Sequence, residues 1–484
     1  MNRSGAHWLR LMRIALNKYN RAPEVTEETT FGSVCEGLVT RLTFSRPGWR
    51  LARGGHRSAS STTCSRPRPV LSRHRAVPAA APRAERMAGA MAEGMLMTRA
   101  LLNSALAGMG TTIFAEMSAL AVETGSVNLG QGFPDTDGPT EIAKTAAEAV
   151  LAGRGNQYPP GPGIPELRNA ISAHQKRFYG LNVDPETEVL VTAGATEAIA
   201  AAMLALLEPG DEVIAFEPYY DSYAACIAMA GAVRVPVTLR PPDFRPDLDR
   251  LRQAVTSRTR LILLNSPHNP TGMVATRDEL AVIAGLAVEH DLLVVTDEVY
   301  EHVVFDGQHI PIATFPGMRE RTVTISSAGK TFSFTGWKIG WVTGTPELVT
   351  AVRTAKQFLT YVSGGPFQYA IAAGLALPDA FYADLAASLH RKRDLLASGL
   401  RAAGFEVFVP HGTYFISTDI SRLGEADGLA FCRSLPYRCG VVAVPNVVFY
   451  DDEAAGRSQV RFAFCKRDEI LEDAAARLLT LSRR

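Results

Sequence analysis

RLILL at residues 260–264 and LLVVT at residues 292–296 frame the stretch of sequence that decides the fold. Both segments are continuous apolar runs, which is typical of strands buried on both faces of a parallel sheet. Between them, residues 279–290 have the apolar spacing of an amphipathic helix. A strand, a helix and a second strand in this order predict a crossover that joins two parallel strands.

The same alternation continues on both sides of this unit. Further strands are predicted at residues 188–192, 212–216, 234–237, 322–326 and 339–342, and further helices at 196–207 and 220–231. We therefore expect an α/β fold whose large domain has a mostly parallel seven-stranded sheet. After residue 348 the patterns change to helices at 351–361 and 381–403 and short strands at 405–409, 413–418, 441–444 and 459–464. These predict a smaller α+β C-terminal domain.

Residues 1–96 differ in composition from the rest of the chain. They hold 16 Lys or Arg and 6 Asp or Glu, a net charge of +10, whereas the other 34 basic and 43 acidic residues give −9. Residues 45–86 are rich in Arg, Ser, Pro and Ala and lack periodicity, so we expect a disordered basic extension. A transit peptide is one interpretation, but four glutamates count against it. A start site assigned too far upstream, with Met97 among the later candidates, is the interpretation that we favour.

The composition of the whole chain is that of an ordinary globular protein. Its net charge of +1 argues against a nucleic-acid partner, and the longest strongly apolar run, residues 198–207, is too short to cross a membrane. The six cysteines have no CxxC spacing and no cluster with histidine, so we predict no metal site and free thiols in a reducing compartment. Because the start also lacks a signal-peptide pattern, we expect a cytoplasmic protein.

Polar motifs follow four of the predicted strands, at the edge where open α/β sheets bind their ligands. The strand at 188–192 leads into Ala195 and Thr196 at the start of a helix, where backbone N–H groups can hold a phosphate. The other motifs are NPTG at 269–272, DEVY at 297–300, SAGK at 327–330 and GWKIG at 336–340. Each motif alone is explained by a turn or a surface residue. Turns and surface residues do not explain why all of the motifs occur together in this order and at this spacing.

Together these motifs resemble those of the class I/II aminotransferases, enzymes of fold type I that use pyridoxal 5'-phosphate. The resemblance extends over about residues 111–477, nearly everything except the extension. It implies an N-terminal arm at residues 97–134 that joins the small domain, a large cofactor-binding domain at 135–379 and a small domain at 380–484. It also implies a homodimer whose two subunits share each active site.

The resemblance assigns the cofactor-binding residues motif by motif. Lys330 matches the lysine that carries the cofactor covalently and moves the substrate proton, and Asp297 matches the carboxylate that keeps the ring nitrogen protonated. Tyr300 and Asn269 match the groups that bind the ring 3-oxygen; Tyr300 joins Lys330 and Asp297 as a predicted catalytic residue. Tyr220 matches the aromatic residue that packs on the ring face, and Tyr219 is the alternative to it. The residues that match the phosphate-binding groups are Ala195, Thr196, Ser327, Lys338 and, from a second subunit, Tyr158.

The substrates implied by the resemblance are an amino-acid donor and a 2-oxo acid acceptor, with 2-oxoglutarate and glutamate as the expected pair. Arg461 matches the arginine that binds the substrate α-carboxylate, a task that suits the planar fork of a guanidinium. Gly132 and Asn269 match further points of contact with the substrate. Asn265, His268 and Lys466 lie close to the motifs and receive no predicted role.

Longer runs of sequence narrow the resemblance. NLGQGFPD at 128–135 and NQY at 156–158 are similar to the branch that holds kynurenine, glutamine and methionine aminotransferases. NQYPPGPG at 156–163, EPYYDSY at 217–223 and RFAFCKRD at 461–468 look most like the actinobacterial N-succinyldiaminopimelate aminotransferases of lysine biosynthesis. We therefore expect N-succinyl-LL-2,6-diaminopimelate to be the amino donor.

Two other functions stay open at this point. One is a broad kynurenine, glutamine or methionine aminotransferase, with β-lyase activity on cysteine conjugates, because the same cofactor motifs serve it. The other is a non-catalytic sensor that binds the cofactor without turnover. Such a sensor carries an N-terminal helix-turn-helix domain, and residues 1–96 lack the two amphipathic helices that this domain requires.

Overall fold

The protein is described by a computed structural model that covers residues 102–107, 109–110 and 112–483. The basic extension predicted for residues 1–96 lies outside the described residues. The structure therefore does not bear on the choice between a transit peptide and a later start. Both therefore stay predictions.

The strands alternate with helices through most of the described chain. The strands are β1 (Val127–Asn128), β2 (Val189–Thr192), β3 (Glu212–Glu217), β4 (Val233–Thr238), β5 (Thr259–Asn265), β6 (Leu293–Asp297), β7 (Thr322–Ser327), β8 (Gly340–Thr343), β9 (Glu406–Phe408), β10 (Phe415–Asp419), β11 (Val441–Val442), β12 (Val444–Pro445) and β13 (Gln459–Ala463).

The α-helices are α1 (Ile113–Thr124), α2 (Thr140–Leu151), α3 (Pro165–Tyr179), α4 (Gly194–Leu206), α5 (Asp221–Met229), α6 (Leu248–Ala254), α7 (Arg277–Glu289), α8 (Ala328–Thr331), α9 (Pro346–Lys356), α10 (Gly365–Leu375), α11 (Asp379–Ala402), α12 (Gly428–Cys439), α13 (Glu453–Gly456) and α14 (Asp468–Leu478). Short 3₁₀ helices lie at Ser104–Leu106, Ile312–Thr314, Arg319–Arg321, Thr335–Trp337, Ser421–Leu423, Asn446–Phe449 and Leu479–Arg483. Among these described helices none is by itself long and apolar enough to cross a membrane; α10 and α11 pass that test only as a pair, bent by 92°.

Seven strands form the central sheet, in the order β2-β8-β7-β6-β5-β3-β4. The neighbours from β7 to β4 run parallel, whereas β8 is antiparallel to both β2 and β7. The predicted mostly parallel seven-stranded sheet is therefore confirmed. The antiparallel insertion of β8 has no signal in the sequence pattern, because a short buried strand shows the same apolar run in either direction.

Alternate residues of the central strands pack against different helix layers. In β5, Leu261 and Leu263 belong to the apolar cluster that includes α4, α5 and α9, whereas Ile262 and Leu264 belong to the cluster that includes α6 and α7. Successive side chains of a strand point to opposite faces. Helices on both faces therefore explain why RLILL is apolar throughout, which stabilises the sheet by burying both surfaces.

The strand register brings the polar ends of several strands together. Asn265 at the end of β5 is the partner of Asp297 at the end of β6. Gly340 at the start of β8 is the partner of both Ser327 at the end of β7 and Thr192 at the end of β2. The motifs that follow these strands in the sequence consequently meet at one edge of the sheet.

A smaller C-terminal domain accompanies the large sheet. Its four strands are arranged in the order β12-β13-β10-β9 and are antiparallel throughout. The N-terminal part of the chain joins this domain, because β1 pairs with β11 through Val127 and Val441. The predicted α+β character of the C-terminal part is confirmed.

The helix predicted at residues 351–361 is shifted in the structure. Helix α9 begins at Pro346 and ends at Lys356. The backbone N–H of Leu348 donates to the Thr345 hydroxyl, and proline at the first helical position needs no hydrogen-bond acceptor. The Thr345-Pro346 pair is therefore the start signal that the apolar periodicity alone missed.

We predict that Gly340→Ala destabilises the fold by about 1–3 kcal/mol, because a Cβ at this position would lie 2.6–2.9 Å from the backbone of Gly194 and Ala195. The matched control is Gly285→Ala in α7, where an added Cβ meets nothing within 4 Å. Since Gly285 is exposed and helical, alanine should stabilise there by up to about 1 kcal/mol. Urea unfolding midpoints measure both; equal shifts of the same sign would contradict the packing argument.

Candidate active site

A cavity of about 360 Å³ opens at the sheet edge where the motifs meet. Eleven of the twelve residues predicted for the site line it: Gly132, Ala195, Thr196, Tyr220, Asn269, Asp297, Tyr300, Ser327, Lys330, Lys338 and Arg461. The remaining wall contains residues that received no predicted role, including Phe114, Gln131, Phe133 and Phe415. The strand ends thus assemble a single pocket from segments more than 300 residues apart.

Lys330 lies in the short helix α8, directly after β7. Its Nζ atom is 3.5 Å from the carbonyl oxygen of Gly132, across the cavity from the large sheet. Burial lowers the pKa of the Lys330 amine, an effect that nearby Arg461 and Lys338 reinforce and Asp297 opposes. A lysine in this environment holds a larger neutral fraction, which is the form that reacts as a nucleophile or base.

Asp297 ends strand β6 and is buried at the floor of the cavity. Its Oδ2 accepts a hydrogen bond of 2.7 Å from the Tyr223 hydroxyl, and its Oδ1 accepts one of 3.3 Å from the Val299 backbone N–H. Among the described residues no cation forms an ion pair with it, and burial raises the pKa of this carboxyl. A buried carboxylate of this kind is suited to a cationic ligand.

Tyr223 is a site residue that the sequence interpretation missed. It is buried in α5 and follows Tyr220, the N-cap residue of that helix, by three residues. Their rings meet edge to face at 5.8 Å. The helical spacing from Tyr220 was the available signal, but it did not indicate that the hydroxyl reaches Asp297.

The N-terminus of α4 forms an anion cradle at one end of the cavity. Gly194 has φ +76°, and a Cβ there would lie 3.3 Å from the Nζ atom of Lys338. Lys338 itself has φ 55°, and its ammonium lies close to the start of the helix. Helix N–H groups, a hydroxyl from Ser327 and an ammonium are the donors that bind phosphate in proteins.

Arg461 lies on β13 and is almost completely buried, with 1% of its surface exposed. One terminal nitrogen donates to the Asn269 side-chain oxygen at 2.9 Å and the other to the Gly130 carbonyl at 3.1 Å, while Nε has no partner among the described residues. The guanidinium lies 4.0 Å from the centroid of the Phe415 ring. Burial lowers its pKa to about 10, which leaves it charged at neutral pH and available to an anion.

Of the two adjacent tyrosines, Tyr220 lines the cavity and Tyr219 does not. Tyr219 is buried elsewhere, with the Arg234 guanidinium 5.3 Å from its ring centroid. Tyr158 also lies outside the cavity. Its side chain is 82% exposed and its ring is 5.6 Å from that of Tyr361, so within one chain it cannot contribute to the pocket.

The three polar residues without a predicted role have structural partners. Asn265 lines the cavity and donates to the Asp297 carbonyl at 2.8 Å, and it accepts from the backbone N–H of Asn269 at 2.8 Å. His268 is buried against Thr271, and burial lowers its pKa to about 4. Lys466 donates to the Phe133 carbonyl at 2.8 Å. Asn265 thereby ties the NPTG loop to the DEVY loop.

A group of potential metal ligands, His174, Glu301 and His302, lies away from the cavity, with its donor atoms within 4.8 Å of one another. These atoms already have protein partners. The Nε2 atoms of the two histidines are 2.7 Å apart, and the Glu301 carboxylate accepts from Tyr179 and Ser326. We therefore assign this group no metal, and the prediction that the protein binds none stays a prediction.

The donor set of the cavity fits a pyridine ring that carries a phosphate. The anion cradle at α4 suits the phosphate, and the unpaired carboxylate of Asp297 suits a protonated ring nitrogen. Tyr220 and Val299 are wall residues available to the ring faces, and Lys330 lines the same cavity. Arg461 adds a separate site for a carboxylate, so the pocket is suited to an amino acid beside the ring.

Known proteins agree with this geometry. The family described as "Aminotransferase class I and II" matches residues 124–478. A Mycobacterium tuberculosis protein named "Probable N-succinyldiaminopimelate aminotransferase DapC" is 55% identical over 385 residues, 77% of this chain and 97% of its own. The solved structure of N-succinyldiaminopimelate aminotransferase from Mycobacterium tuberculosis, 55% identical, superposes with a TM-score of 0.77 over 78% of this chain and 100% of its own.

A third relative, the methionine aminotransferase of Escherichia coli, is 40% identical over 379 residues, 78% of this chain and 98% of its own. The family match spans most of the chain, and each relative is covered over nearly its full length. The fold, the cavity and these similarities together identify the protein as an enzyme. The chain belongs to the class I and II aminotransferases.

Proposed function

We propose that the enzyme transfers the amino group of N-succinyl-LL-2,6-diaminopimelate to 2-oxoglutarate with pyridoxal 5'-phosphate as cofactor, in the cytoplasm. The observation that carries the cofactor chemistry is the convergence of Lys330, Asp297 and Arg461 in one cavity. The similarity to the Mycobacterium tuberculosis protein supports the choice of donor. The described cysteines, all free, are consistent with a reducing compartment.

When bound, pyridoxal 5'-phosphate supplies the electron sink that stabilises negative charge at the substrate Cα. The role of the protein is to bind the cofactor and to set the protonation state of its ring. Asp297 would keep the ring nitrogen protonated, and Ala195, Thr196, Ser327 and Lys338 would hold the phosphate. Tyr300 and Asn269 would donate to the ring 3-oxygen, and Tyr220 would pack on the ring face.

Lys330 has two tasks in this proposal. Its amine would hold the cofactor covalently in the resting enzyme, and the freed Nζ would be the base that takes the proton from the substrate Cα and gives it to the cofactor carbon that carries the amino nitrogen. The lowered pKa supports both tasks, because each requires the neutral amine. The nearby Gly132 carbonyl is the acceptor that orients Nζ between these steps.

Arg461 binds the substrate α-carboxylate, with Asn269 and Gly132 as further contacts. Its unpartnered Nε and the aromatic face of Phe415 support this role, since the guanidinium is held rigidly while retaining donor capacity. Two N–H groups of the Arg461 guanidinium would orient the amino acid, and this would fix the direction of its Cα–H bond relative to Lys330. Such positioning lowers the entropy cost of proton transfer.

The substrates also have a carboxylate beyond the α-position. Besides Lys330, Lys338 and Arg461, no cation lines the cavity among the described residues. We propose that the chain forms a homodimer and that the partner supplies the group that binds this distal carboxylate. The exposed aromatic side chains Tyr158, Phe358 and Tyr361 support such an interface, and Tyr158 would reach the neighbouring phosphate site.

We predict that Lys330→Ala lowers turnover by at least about 1,000-fold while the protein still folds, because the reaction needs the amine and the fold does not. The control is Lys144→Ala, which removes an exposed lysine of α2. Single half-reactions followed by the cofactor absorbance measure the loss. Near wild-type conversion by Lys330→Ala would rule out the proposed mechanism, and binding of cofactor without conversion by the wild type would favour a sensor.

We predict that kcat/KM for N-succinyldiaminopimelate exceeds that for methionine or kynurenine by at least about 10-fold, because both proposed substrates share a distal carboxylate. The aromatic wall of Phe114, Phe133 and Phe415 is the feature that would favour the broad alternative. A donor panel with 2-oxoglutarate as acceptor tests the choice. Preference for methionine, glutamine or kynurenine would support the alternative and leave the aminotransferase assignment unchanged.

The domain boundaries are also part of the proposal: an arm at 97–134, a large domain at 135–379 and a small domain at 380–484. We predict that a chain beginning at Met97 is soluble, dimeric and as active as the full chain. The reason is that the family match begins at residue 124 and the composition of 1–96 cannot support a packed core. Sedimentation and steady-state kinetics of the two chains test it, and failure of only the short chain to fold would contradict it.

A further inference from the structure

Tyr414 lies behind the cavity wall and has no part in the function proposed above. It is 1% exposed, and its ring meets that of Tyr300 edge to face, with centroids 5.2 Å apart. Its hydroxyl donates a hydrogen bond of 2.7 Å to the carbonyl oxygen of Gly132. Burial raises the pKa of Tyr414 far above that of a free tyrosine, so the hydroxyl keeps its proton and remains a donor.

The Gly132 carbonyl is shared between Tyr414 and Lys330. The Lys330 Nζ atom lies 3.5 Å from this oxygen, its only hydrogen-bond acceptor in the described part of the chain. A carbonyl oxygen has two lone pairs and can accept from both groups. Because the tyrosine bond is short and the lysine contact is long, the hydroxyl fixes the position of the oxygen, and the amine contacts that fixed oxygen at longer range.

The backbone before Tyr414 supports a positioning role. Thr413 is fully buried and has φ 64°, which is an outlier for a β-branched residue. Its N–H donates to the Val303 carbonyl at 2.9 Å, and Val303 follows Tyr300 in the same loop. The surrounding structure therefore maintains this conformation, which turns the chain so that Tyr414 faces Gly132.

The other side of the contact is equally constrained. A Cβ on Gly132 would lie 2.5 Å from the Phe415 ring and 3.5 Å from the Tyr414 ring. Only glycine allows the arm to pass this close to the two aromatic residues. Removal of the hydroxyl without the ring would therefore leave the packing in place and release the Gly132 carbonyl, together with the hydroxyl contact to Tyr300.

We propose that Tyr414 is a positioning residue for Lys330: its hydroxyl anchors the Gly132 carbonyl beside the amine and keeps Nζ where it accepts the substrate Cα proton. This inference rests on the proposed role of Lys330. The contact has a direct chemical consequence. While the hydroxyl occupies the carbonyl, that oxygen is a weaker acceptor for the Lys330 ammonium, so the neutral amine is favoured.

The test is Tyr414→Phe in the full-length enzyme. We expect kcat to fall about 10-fold, the effect of losing one buried hydrogen bond, with KM for the amino acid changed less than about 2-fold because Arg461 is untouched. The second readout is the rate of Lys330 acylation in the cofactor-free enzyme as a function of pH, followed by mass spectrometry. With the hydroxyl gone, the profile should move to higher pH.

The matched control is Tyr382→Phe. Tyr382 is also buried and donates to backbone carbonyls, those of Gly374 and Leu375, but lies outside the cavity lining. It should change neither kcat nor the acylation profile. A Tyr414→Phe profile that coincides with wild type, whatever its kcat, would overturn the inference. Failure of the proposed function would give a different result from failure of this inference. In that case Lys330→Ala would still turn over substrate, and the acylation profile of Tyr414→Phe would still be shifted from that of wild type.

Discussion

The buried carboxylate of Asp297 is the constraint on which the rest of the site depends. Taking an ion out of water costs several kcal/mol unless nearby groups compensate, and no cation pairs with Asp297 among the described residues. Tyr223 and the Val299 N–H offset part of that cost. The strand that carries Asp297 is central and flanked by parallel neighbours, and the residue is buried. The remaining means of compensation are protonation of the carboxyl, which the raised pKa favours, and a cationic ligand in the cavity.

The carbonyl oxygens of the N-terminal arm are the second organising feature. Those of Gly130, Gly132 and Phe133 accept hydrogen bonds from Arg461, Tyr414 and Lys466 of the C-terminal part, respectively. Each bond joins residues about 280 or more positions apart in sequence. These three bonds therefore hold the arm against the C-terminal part, and one of them involves the Arg461 guanidinium that lines the cavity.

The charge balance of the cavity matches anionic ligands. Three basic side chains, of Lys330, Lys338 and Arg461, line the cavity together with one acidic side chain, that of Asp297. Low solvent access strengthens each interaction, because water is not available to screen it. The two ends of the pocket are nonetheless distinct. The start of α4 supplies backbone donors that suit a phosphate, whereas Arg461 supplies the planar guanidinium that suits a carboxylate. This separation is suited to the two-part complex of cofactor and amino acid that we propose.

The sequence by itself determined the seven strands and the motifs that follow them. Carboxyl ends of parallel strands share one edge, so NPTG, DEVY and SAGK had to meet once the strands were known. It did not determine the antiparallel direction of β8, the reach of Tyr223 to Asp297, or the approach of Tyr414 to Gly132. These depend on contacts between residues remote in sequence, for which neither periodicity nor local turn chemistry leaves a signal. Only tertiary packing decides which distant side chains meet, because that choice is set by shape and burial after the strands have assembled.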